Sequence, residues 1–284
     1  MHKPLPYFDY LLAAFEQGHP LLEDSFGRHV HWGYWEFPEQ ARADSADFAA
    51  AAENLSRLVQ DTGRAGDGQT VLDAGCGFGG TLASLNERYE NLALKGLNID
   101  ERQLVRARQL IQPRRGNRIG FHHGDACALP FADASFDTVL AVECIFHFPS
   151  REKFFAEAFR VLKPGGYLAI SDFLLSPGLN RFAGFKPARF LSDGFFGACD
   201  VGFTPSAYRE LASEVGFSVE LEQNITRETL PTYRFLRGLA KQSGLRSLSS
   251  YADFTIALTV LSVEWASRLD ALRYFVFAFK KPAA

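Results

Sequence analysis

Along most of the chain, short apolar runs alternate with longer segments whose apolar residues recur at helical spacing. The apolar runs predict strands, in the order QTVLDA, LALKGLN, RIGFHHGD, FDTVLAV, GYLAISDFLL, FSVELEQN and LRYFVFAFKK. The segments between them predict helices, at residues 46–61 and in TLASLNERY, ERQLVRARQLI, REKFFAEAFRVL and TPSAYRELASEVGF. Strands that alternate with helices indicate βαβ units, so the pattern predicts an α/β fold built on a parallel sheet.

Three stretches do not belong to this alternation. Residues 174–203 are rich in Gly and Phe, residues 225–270 hold further helical patterns, and residues 1–45 precede the first regular helix. We expect the three to cover one edge of the sheet. The predicted organisation is therefore an N-terminal cap segment at 1–45 and one domain at 46–284, with lid insertions at about 174–203 and 225–270.

A glycine loop, DAGCGFGG, follows the first predicted strand and precedes a helix. Gly75, Gly77 and Gly80 have the G-x-G-x-x-G spacing that lets the main chain approach a ligand closely. A nicotinamide dinucleotide site also needs an acid at the end of the second strand, where it holds a ribose hydroxyl. That position is Asn98, so the loop indicates a nucleotide-like cofactor of another kind.

Three motifs occur in a fixed order: VLDAGCGFGG, GDACALPFADASFDTV and RVLKPGGYLAISD. With them the chain resembles the class I S-adenosylmethionine-dependent methyltransferases, in the small-molecule subgroup of natural-product O-methyltransferases. The resemblance covers about residues 70–224. It implies a Rossmann-like seven-stranded sheet whose last strand is antiparallel, S-adenosyl-L-methionine as cofactor, and a role in secondary metabolism.

The resemblance also implies a set of cofactor contacts. The glycine loop meets the methionine and ribose, and Asp125 with Ala126 meets the adenine amino group. Most members have a carboxylate where this chain has Asn98, but a variant similar to cyclopropane synthases has a neutral residue there and a Gln five positions later. Asn98 and Gln103 fit that variant, although Gln103 also has capping-box spacing from Asp100. The implied cofactor-binding residues are Asp73, Gly75, Cys76, Gly77, Asn98, Ile99, Gln103, Asp125, Ala126, Val142 and Tyr34.

Two ionisable residues end the apolar stretch VLAVECIFHF, namely Glu143 and His147. Asp172 ends the neighbouring fifth strand, so it should reach the same edge of the sheet. A hydroxyl nucleophile needs a proton acceptor, and His is the side chain that titrates nearest to neutral pH. The resemblance to sugar and polyketide O-methyltransferases implies His147 as general base, assisted by Asp172, with Glu143 as an orienting residue. The alternative is that His147 only holds its loop or caps the next helix.

Aromatic residues are the candidates for the acceptor site. HWGYW, residues 31–35, resembles a stretch that covers the methionine end of the cofactor in related enzymes, and this makes Tyr34 and Trp35 candidate wall residues. The Tyr of ITRETLPTY has a counterpart that lines the acceptor cavity. Aromatic rings on cover segments suit an apolar or aromatic acceptor, although ordinary packing explains them as well. The predicted substrate-binding residues are Phe146, Phe182, Phe185, Phe196 and Tyr233.

Composition narrows the class of partner. The 284 residues carry a net charge of −3, which gives no general attraction to nucleic acid, and the longest apolar window is too short for membrane insertion. Four scattered cysteines favour a reducing, cytoplasmic location. His29 and His31 lack the acid or Cys that would complete a metal site, so no metal is predicted. The sequence leaves the oligomeric state and the identity of the acceptor open.

Three functions are compatible with these features. The first is methyl transfer to a hydroxyl of an apolar or aromatic small molecule. The second is C-methylation of a prenyl or other apolar chain, in which Glu143 accepts a proton and Phe rings shield a carbocation. The third is a non-catalytic protein that binds the cofactor as a structural element.

Overall fold

The computed structural model describes residues 5–176, 197, 199–242 and 250–283, and within these ranges seven strands form one sheet. The strands are β1 (Thr70–Ala74), β2 (Ala93–Asn98), β3 (Arg118–His123), β4 (Phe136–Val142), β5 (Leu162–Leu175), β6 (Ser218–Asn224) and β7 (Leu272–Lys280). Their order in the sheet is β3-β2-β1-β4-β5-β7-β6. Only β7 is antiparallel to its neighbours, β5 and β6. The predicted seven-stranded sheet with an antiparallel last strand is confirmed.

Ten α-helices are present in the same ranges. They are α1 (Pro6–Glu16), α2 (Pro20–Phe26), α3 (Ser45–Thr62), α4 (Gly80–Arg88), α5 (Glu101–Leu110), α6 (Arg151–Val161), α7 (Pro205–Val215), α8 (Thr226–Thr229), α9 (Pro231–Gln242) and α10 (Ser250–Arg268). Local sequence sets their ends: Thr204 Oγ1 accepts a hydrogen bond from the N–H of Ala207 at the start of α7, and Gly216 ends it with φ of 103°. In chain order, helices α8, α9 and α10 come between β6 and β7, which are neighbours in the sheet.

Both faces of the sheet are covered. On one face, α6 and α7 bury Phe154, Phe155 and Tyr208 against the strands. On the other face, α3, α4 and α5 bury an apolar cluster that includes Leu55 and Leu82. Each such side chain contributes roughly 1.5–3 kcal/mol when fully buried. The covered faces leave the ends of the strands as the place where polar side chains can meet.

The N-terminal helices dock beside the glycine loop. Phe8 and Phe15 of α1 pack with their edges on Phe78, at centroid distances of 5.5 and 5.6 Å. Asp9 forms a 2.8 Å ion pair with Arg102 of α5. Helix α1 therefore lies over the loop that joins β1 to α4, although the boundary of a separate cap segment at residue 45 stays a prediction. Within the described ranges, no helix combines the length and apolar character needed to cross a bilayer.

Candidate active site

The carboxyl ends of β1 and β4 lie side by side at the centre of the sheet, where the strand order reverses direction. The glycine loop after β1 is fixed to β2, because the N–H groups of Gly75 and Cys76 donate hydrogen bonds to the carbonyl of Leu97. Gly75 has φ of 81°, and a Cβ there would lie 2.7 Å from Cys144 Sγ. A Cβ at Gly77 would instead meet only Gln103 Oε1, at 3.9 Å, which is an ordinary contact. The loop thus presents bare main chain at Gly77.

Asp73 is a buried carboxyl group at the base of this loop. It is 1% exposed, and its Oδ2 has no hydrogen-bond partner among the described residues. Burial raises the pKa of Asp73 to about 7. A buried polar atom without a partner indicates a missing ligand or water. Asp73 therefore fits a bound molecule that brings a hydrogen-bond donor to the loop.

Two amide side chains border the same loop at the end of β2. Asn98 Nδ2 donates to Gln103 Oε1 at 2.8 Å, and both side chains are buried. Gln103 Oε1 is also the atom that a Cβ at Gly77 would meet. A capping box does not form, because Gln103 bonds Asn98 while the main-chain N–H of Asp100 faces Asn98 Oδ1 at 3.5 Å. The amide pair fits hydroxyl groups of a ligand held on the glycine loop.

The loop after β3 supplies a further polar group. Asp125 Oδ1 accepts a hydrogen bond from the N–H of Cys127 at 2.8 Å, which fixes the turn. A ligand could therefore bind the other carboxyl oxygen, Oδ2, without disturbing this turn. Ala126 is buried beside it, and Ile99 is half-exposed at the end of β2. These residues occupy the positions that the resemblance assigns to the adenosine part of the cofactor.

Glu143 is buried immediately after β4 with an unusual main chain. Its φ is 49°, a left-handed conformation that is uncommon for a residue other than glycine. The N–H donates to Ser171 Oγ at 3.0 Å, and Oε2 accepts hydrogen bonds from Trp32 N at 2.9 Å and Tyr274 Oη at 2.5 Å. Burial raises the pKa of Glu143 to about 8. The side chain therefore holds a proton at neutral pH.

The two residues that donate to Glu143, Trp32 and Tyr274, belong to a group of packed aromatic rings. Phe173 packs edge-on against Trp32 at 5.4 Å and against Tyr274 at 4.5 Å, while Phe146 lies 6.0 Å from it. Tyr233 lies 5.9 Å from Trp32. The structure thus places the predicted residues Phe146 and Tyr233 in one aromatic group with three residues that the sequence pattern did not indicate, Trp32, Phe173 and Tyr274. Phe182, Phe185 and Phe196 lie outside the described residues.

His147 ends a short 3₁₀ turn, Ile145–His147, just beyond Glu143. Its Nε2 lies 3.4 Å from Tyr7 Oη, and its Nδ1 lies 3.7 Å from Cys199 Sγ. Burial raises the pKa of Tyr7 well above its ordinary value, with Cys199 and Glu143 adding to the effect, so Tyr7 is a neutral hydroxyl near both groups. Helix α1 therefore brings a phenol to the imidazole, a contact that no sequence motif indicated.

The predicted pairing of Asp172 with His147 is wrong. Asp172 is fully buried, and its Oδ2 accepts hydrogen bonds from Arg151 Nη2 at 2.9 Å and Tyr208 Oη at 2.5 Å. Side chains alternate between the two faces of a strand. Ser171 lies on the face of Glu143, so Asp172 lies on the opposite face, under α6 and α7. Its role is to neutralise Arg151.

Trp35 is also placed differently from its prediction. Its Nε1 donates to Asp47 Oδ2 at 3.0 Å, so the ring packs on the N-terminal end of α3. Tyr34 is half-buried, and its N–H donates to the carbonyl of Ala51 in the same helix. Trp32 is the residue of HWGYW that contacts Glu143. The remaining predicted residues, Cys76 and Val142, are buried in one apolar cluster near the glycine loop.

No group of three or more His, Cys, Asp or Glu side chains suited to a metal ion occurs in the part of the chain that the structure describes.

The candidate site consists of two parts. The first is a bare glycine loop with Asp73, Asn98, Gln103 and Asp125 around it. The second is an aromatic group that holds Glu143 and borders His147.

Comparison with known proteins bears on the family of this chain. Residues 72–170 match the family described as "Methyltransferase domain". The chain is 36% identical to methyltransferase GfsG of Streptomyces halstedii over 60% of its own length, and the match spans 59% of that protein. It is 29% identical to 27-O-demethylrifamycin SV methyltransferase of Amycolatopsis mediterranei, over 99% of this chain and 100% of the relative.

A solved structure with a similar fold covers the whole chain. The crystal structure of the [4+2]-cyclase SpnF superposes with a TM-score of 0.75 over 100% of this chain and 98% of that one, at 22% identity. At this identity the likeness shows the fold alone. The seven-stranded sheet and its covering helices are thus shared with a protein named for another reaction.

Proposed function

The chain belongs to the S-adenosylmethionine-dependent methyltransferases, and from that premise we propose that it methylates a hydroxyl group of a small, largely apolar molecule. The observation that carries the proposal is the position of His147, whose Nε2 faces the Tyr7 hydroxyl beside the aromatic group. When bound, S-adenosylmethionine supplies the electrophilic methyl group. The residues of the protein supply alignment, dry surroundings and a proton acceptor.

The first part of the site would hold the cofactor. Asp73 offers its unpartnered carboxyl oxygen, and the main chain at Gly77 leaves room for a ligand. Asn98 and Gln103 offer amide groups to hydroxyls, in place of the carboxylate that most of the family has. Asp125 offers Oδ2 to the adenine amino group. These contacts fit the cofactor in chemistry and in order along the sheet edge.

His147 would act as the general base. A neutral imidazole can accept the proton of an acceptor hydroxyl at Nε2, the nitrogen that lies 3.4 Å from Tyr7 Oη. Tyr7 is neutral, so it can donate a hydrogen bond to the acceptor oxygen but does not compete for the proton. Asp172 takes no part, because its carboxylate is bound to Arg151 and Tyr208 on the other face.

Glu143 would orient the acceptor. With a pKa of about 8 its carboxyl group is protonated at neutral pH, so it can both donate and accept a hydrogen bond. The packed rings of Trp32, Phe146 and Phe173 suit an apolar molecule that carries one or a few oxygen atoms. The match over the full length of a relative named for an O-demethyl substrate supports the same class of acceptor.

The geometry of Glu143 also favours a second candidate, C-methylation of an apolar chain. In its ionised form, which the raised pKa makes the minor form at neutral pH, the Glu143 carboxylate can stabilise a carbocation and then accept its proton, and the neighbouring aromatic rings can shield the cation. In that reaction Glu143 would be the base, and His147 would have no chemical role. The two candidates therefore assign the proton to different side chains.

The test is a screen with methyl-labelled S-adenosylmethionine against hydroxylated aromatic, polyketide and prenyl compounds. We expect label on an oxygen atom of the product, located by mass spectrometry and NMR. Label on carbon would replace the first candidate with the second. Cofactor binding without label on any acceptor would indicate a protein that binds S-adenosylmethionine without transferring its methyl group.

Asp125→Ala should weaken S-adenosylmethionine binding by roughly 1–3 kcal/mol, because a buried hydrogen bond to adenine is lost. Calorimetry measures the change. Asp125→Asn is the matched control for the turn, because its Oδ1 can still accept the hydrogen bond from the N–H of Cys127. Its NH2 group, however, would face the adenine amino group, and two donors cannot form a hydrogen bond. We expect both variants to bind weakly. Normal affinity in Asp125→Asn would move the adenine site elsewhere.

Glu143→Gln separates the two candidate reactions. Under O-methylation we expect a modest loss of turnover, because the amide still donates and accepts hydrogen bonds. Under C-methylation the loss should be roughly 10²-fold or more, because the proton acceptor is gone. Turnover on the acceptor found in the screen is the measurement.

A folding control accompanies this variant. The raised pKa of Glu143 means that the wild-type fold favours the protonated side chain. The stability from this group is fully present below its ordinary pKa of 4.5 and is lost as the pH rises through about 8. Gln cannot titrate, so the variant should gain stability relative to the wild type across that range. Chemical unfolding at several pH values gives the comparison.

A further inference from the structure

His29 and His31 form a buried chain of hydrogen bonds that the proposed reaction does not use. His29 Nε2 lies 2.8 Å from Glu53 Oε2, and His31 Nε2 lies 3.2 Å from His29 Nδ1. His31 Nδ1 lies 2.9 Å from the carbonyl oxygen of Trp32. Both imidazoles are buried. The chain runs from α3 to the residue whose N–H donates to Glu143.

Charged groups from three elements face this pair. Helix α3 contributes Glu53, α4 contributes Glu87, and the segment itself contributes Arg28, which pairs with both acids. Burial alone would raise the pKa of Glu53, but hydrogen bonds from His29 and Ser84 and the charges of His29 and Arg28 hold it well below its ordinary value. Glu53 is therefore an ionised acceptor at one end of the chain.

The groups at the two ends of this hydrogen-bond chain determine how many protons the two imidazole rings must carry. Glu53 and the carbonyl of Trp32 can only accept, so His29 Nε2 and His31 Nδ1 must each carry a proton. The contact between His29 Nδ1 and His31 Nε2 needs one more. Three hydrogen bonds thus need three protons on four ring nitrogens, which gives the pair one positive charge.

The positive charge belongs to one particular ring. Burial, and then the charge of His29, lowers the pKa of His31 to about 3, so His31 stays neutral with its proton on Nδ1. Burial also lowers the pKa of His29, against the opposing effect of the hydrogen bond and charge of Glu53. His29 therefore takes the third proton only below an ordinary histidine pKa, and it does so next to the carboxylate that balances the charge.

We propose that His29 and His31 are positioning residues: the proton on His31 Nδ1 fixes the main chain of Trp32 and, through its N–H, the carboxyl group of Glu143, and a third ring proton, on His29, links the two rings. Above the pKa of His29 the pair loses that third proton and gives up one bond. The bond lost is the one between His29 Nδ1 and His31 Nε2, because His29 Nε2 still donates to Glu53 and His31 Nδ1 still donates to the carbonyl of Trp32. Trp32 therefore keeps its hydrogen bond from His31 at the pH where Glu143 titrates. Only the place of Glu143 in the reaction rests on the proposed function.

The first measurement is nitrogen NMR of the whole protein with ¹⁵N-labelled histidine, with signals assigned through His29→Gln and His31→Asn. On acidification we expect one coupled step, with its midpoint below the ordinary value of 6.5 and three protonated nitrogens at its end. Two independent steps near the ordinary value would overturn the proton count. The proton count would also be overturned if His29 and His31 together kept only two protons down to the pH at which the protein unfolds.

The second measurement is the pKa of Glu143, followed through ¹³C-labelled carboxyl groups and assigned by the signal missing in Glu143→Gln. In His31→Leu we expect that pKa to rise by about 1, because the ionised carboxylate loses a fixed N–H donor. His31→Asn, which can still donate to the carbonyl of Trp32, should keep the wild-type value. His122→Leu, which removes an imidazole from the edge strand β3, is the control and should also keep it.

An unchanged pKa of Glu143 in a folded His31→Leu protein would overturn the inference. If that variant does not fold, His31→Phe serves instead: it also removes the donor to the carbonyl of Trp32 but fills more of the space of the imidazole, and an unchanged pKa of Glu143 would overturn the inference equally. Neither measurement uses an acceptor or turnover. A failed screen for methyl transfer would therefore contradict the proposed function and leave these results standing.

Discussion

His147→Ala should lower turnover by roughly 10²–10⁴-fold, because the acceptor hydroxyl then has no base within reach. S-adenosylmethionine affinity should be nearly unchanged, since the residues proposed to hold it lie at or just after the ends of β1, β2 and β3, whereas His147 follows β4. The rate of the wild type should rise with pH as the imidazole loses its proton, and that rise should vanish in the variant. Single-turnover kinetics with the acceptor from the screen measure both effects.

Two controls keep this result interpretable. His122→Ala removes an imidazole from the edge of the sheet, away from β4, and should leave turnover unchanged. Tyr7→Phe removes the hydroxyl that faces Nε2 and should give a smaller loss than His147→Ala, because the base remains. A His147→Ala protein that turns over at nearly the wild-type rate would show that positioning alone carries the reaction.

The largest effect on stability should come from Asp172→Asn. Its carboxylate balances the buried guanidinium of Arg151, and its loss leaves that buried charge with only an exposed carboxylate, Asp200, as counter-charge. Breaking such a pair costs about 3–5 kcal/mol. Urea unfolding should show the change as a lower midpoint with a similar slope.

The same arginine supplies a matched control. Arg151 Nη1 also pairs with Asp200 at 2.8 Å, but that carboxylate is 62% exposed. Water already solvates it, so Asp200→Asn should cost only about 0–1 kcal/mol. Equal losses from the two variants would contradict the argument from burial. Because Asp172 lies on the face away from His147, turnover per folded molecule should fall little in Asp172→Asn.

The fold was predictable because its signals are local. Each strand is an apolar run, and glycine or a capping residue separates it from the next helix. The antiparallel β7 came from the resemblance, since an apolar run such as LRYFVFAFKK gives no direction. The glycine loop was predictable for the same reason, because it directly follows a strand, whereas Asn98 and Gln103 were indicated only by the resemblance, and their role toward the cofactor stays a prediction.

The error on Asp172 has a physical cause. Ser171 and Asp172 are consecutive in β5, so their side chains point to opposite faces of the strand. The segment GYLAISDFLL is apolar on both faces, as is usual in the middle of a parallel sheet. Without a polar face to mark the orientation, the sequence does not tell which residues point toward the site. Arg151, the true partner, lies 21 positions earlier at the start of α6.

Contacts between distant segments were equally out of reach. Tyr7 meets His147 across 140 positions, and Trp32 meets Glu143 across 111. Both contacts depend on how the N-terminal helices dock on the sheet, which is set by packing of Phe8 and Phe15 on Phe78 rather than by any periodic pattern. HWGYW contains Trp32, but nothing in the sequence pattern singled out Trp32 for the contact with Glu143.

The position of β7 between β5 and β6 constrains how this protein can be synthesised. During translation, β5 and β6 emerge before the strand that joins them, so each leaves an unpaired edge until residues 272–280 arrive. Exposed strand edges promote association between chains. Tyr274, which holds Glu143, arrives with the same strand. A ribosome-bound chain therefore cannot complete either its sheet or its candidate active site early, and a chaperone that binds nascent chains at the ribosome should raise the soluble yield.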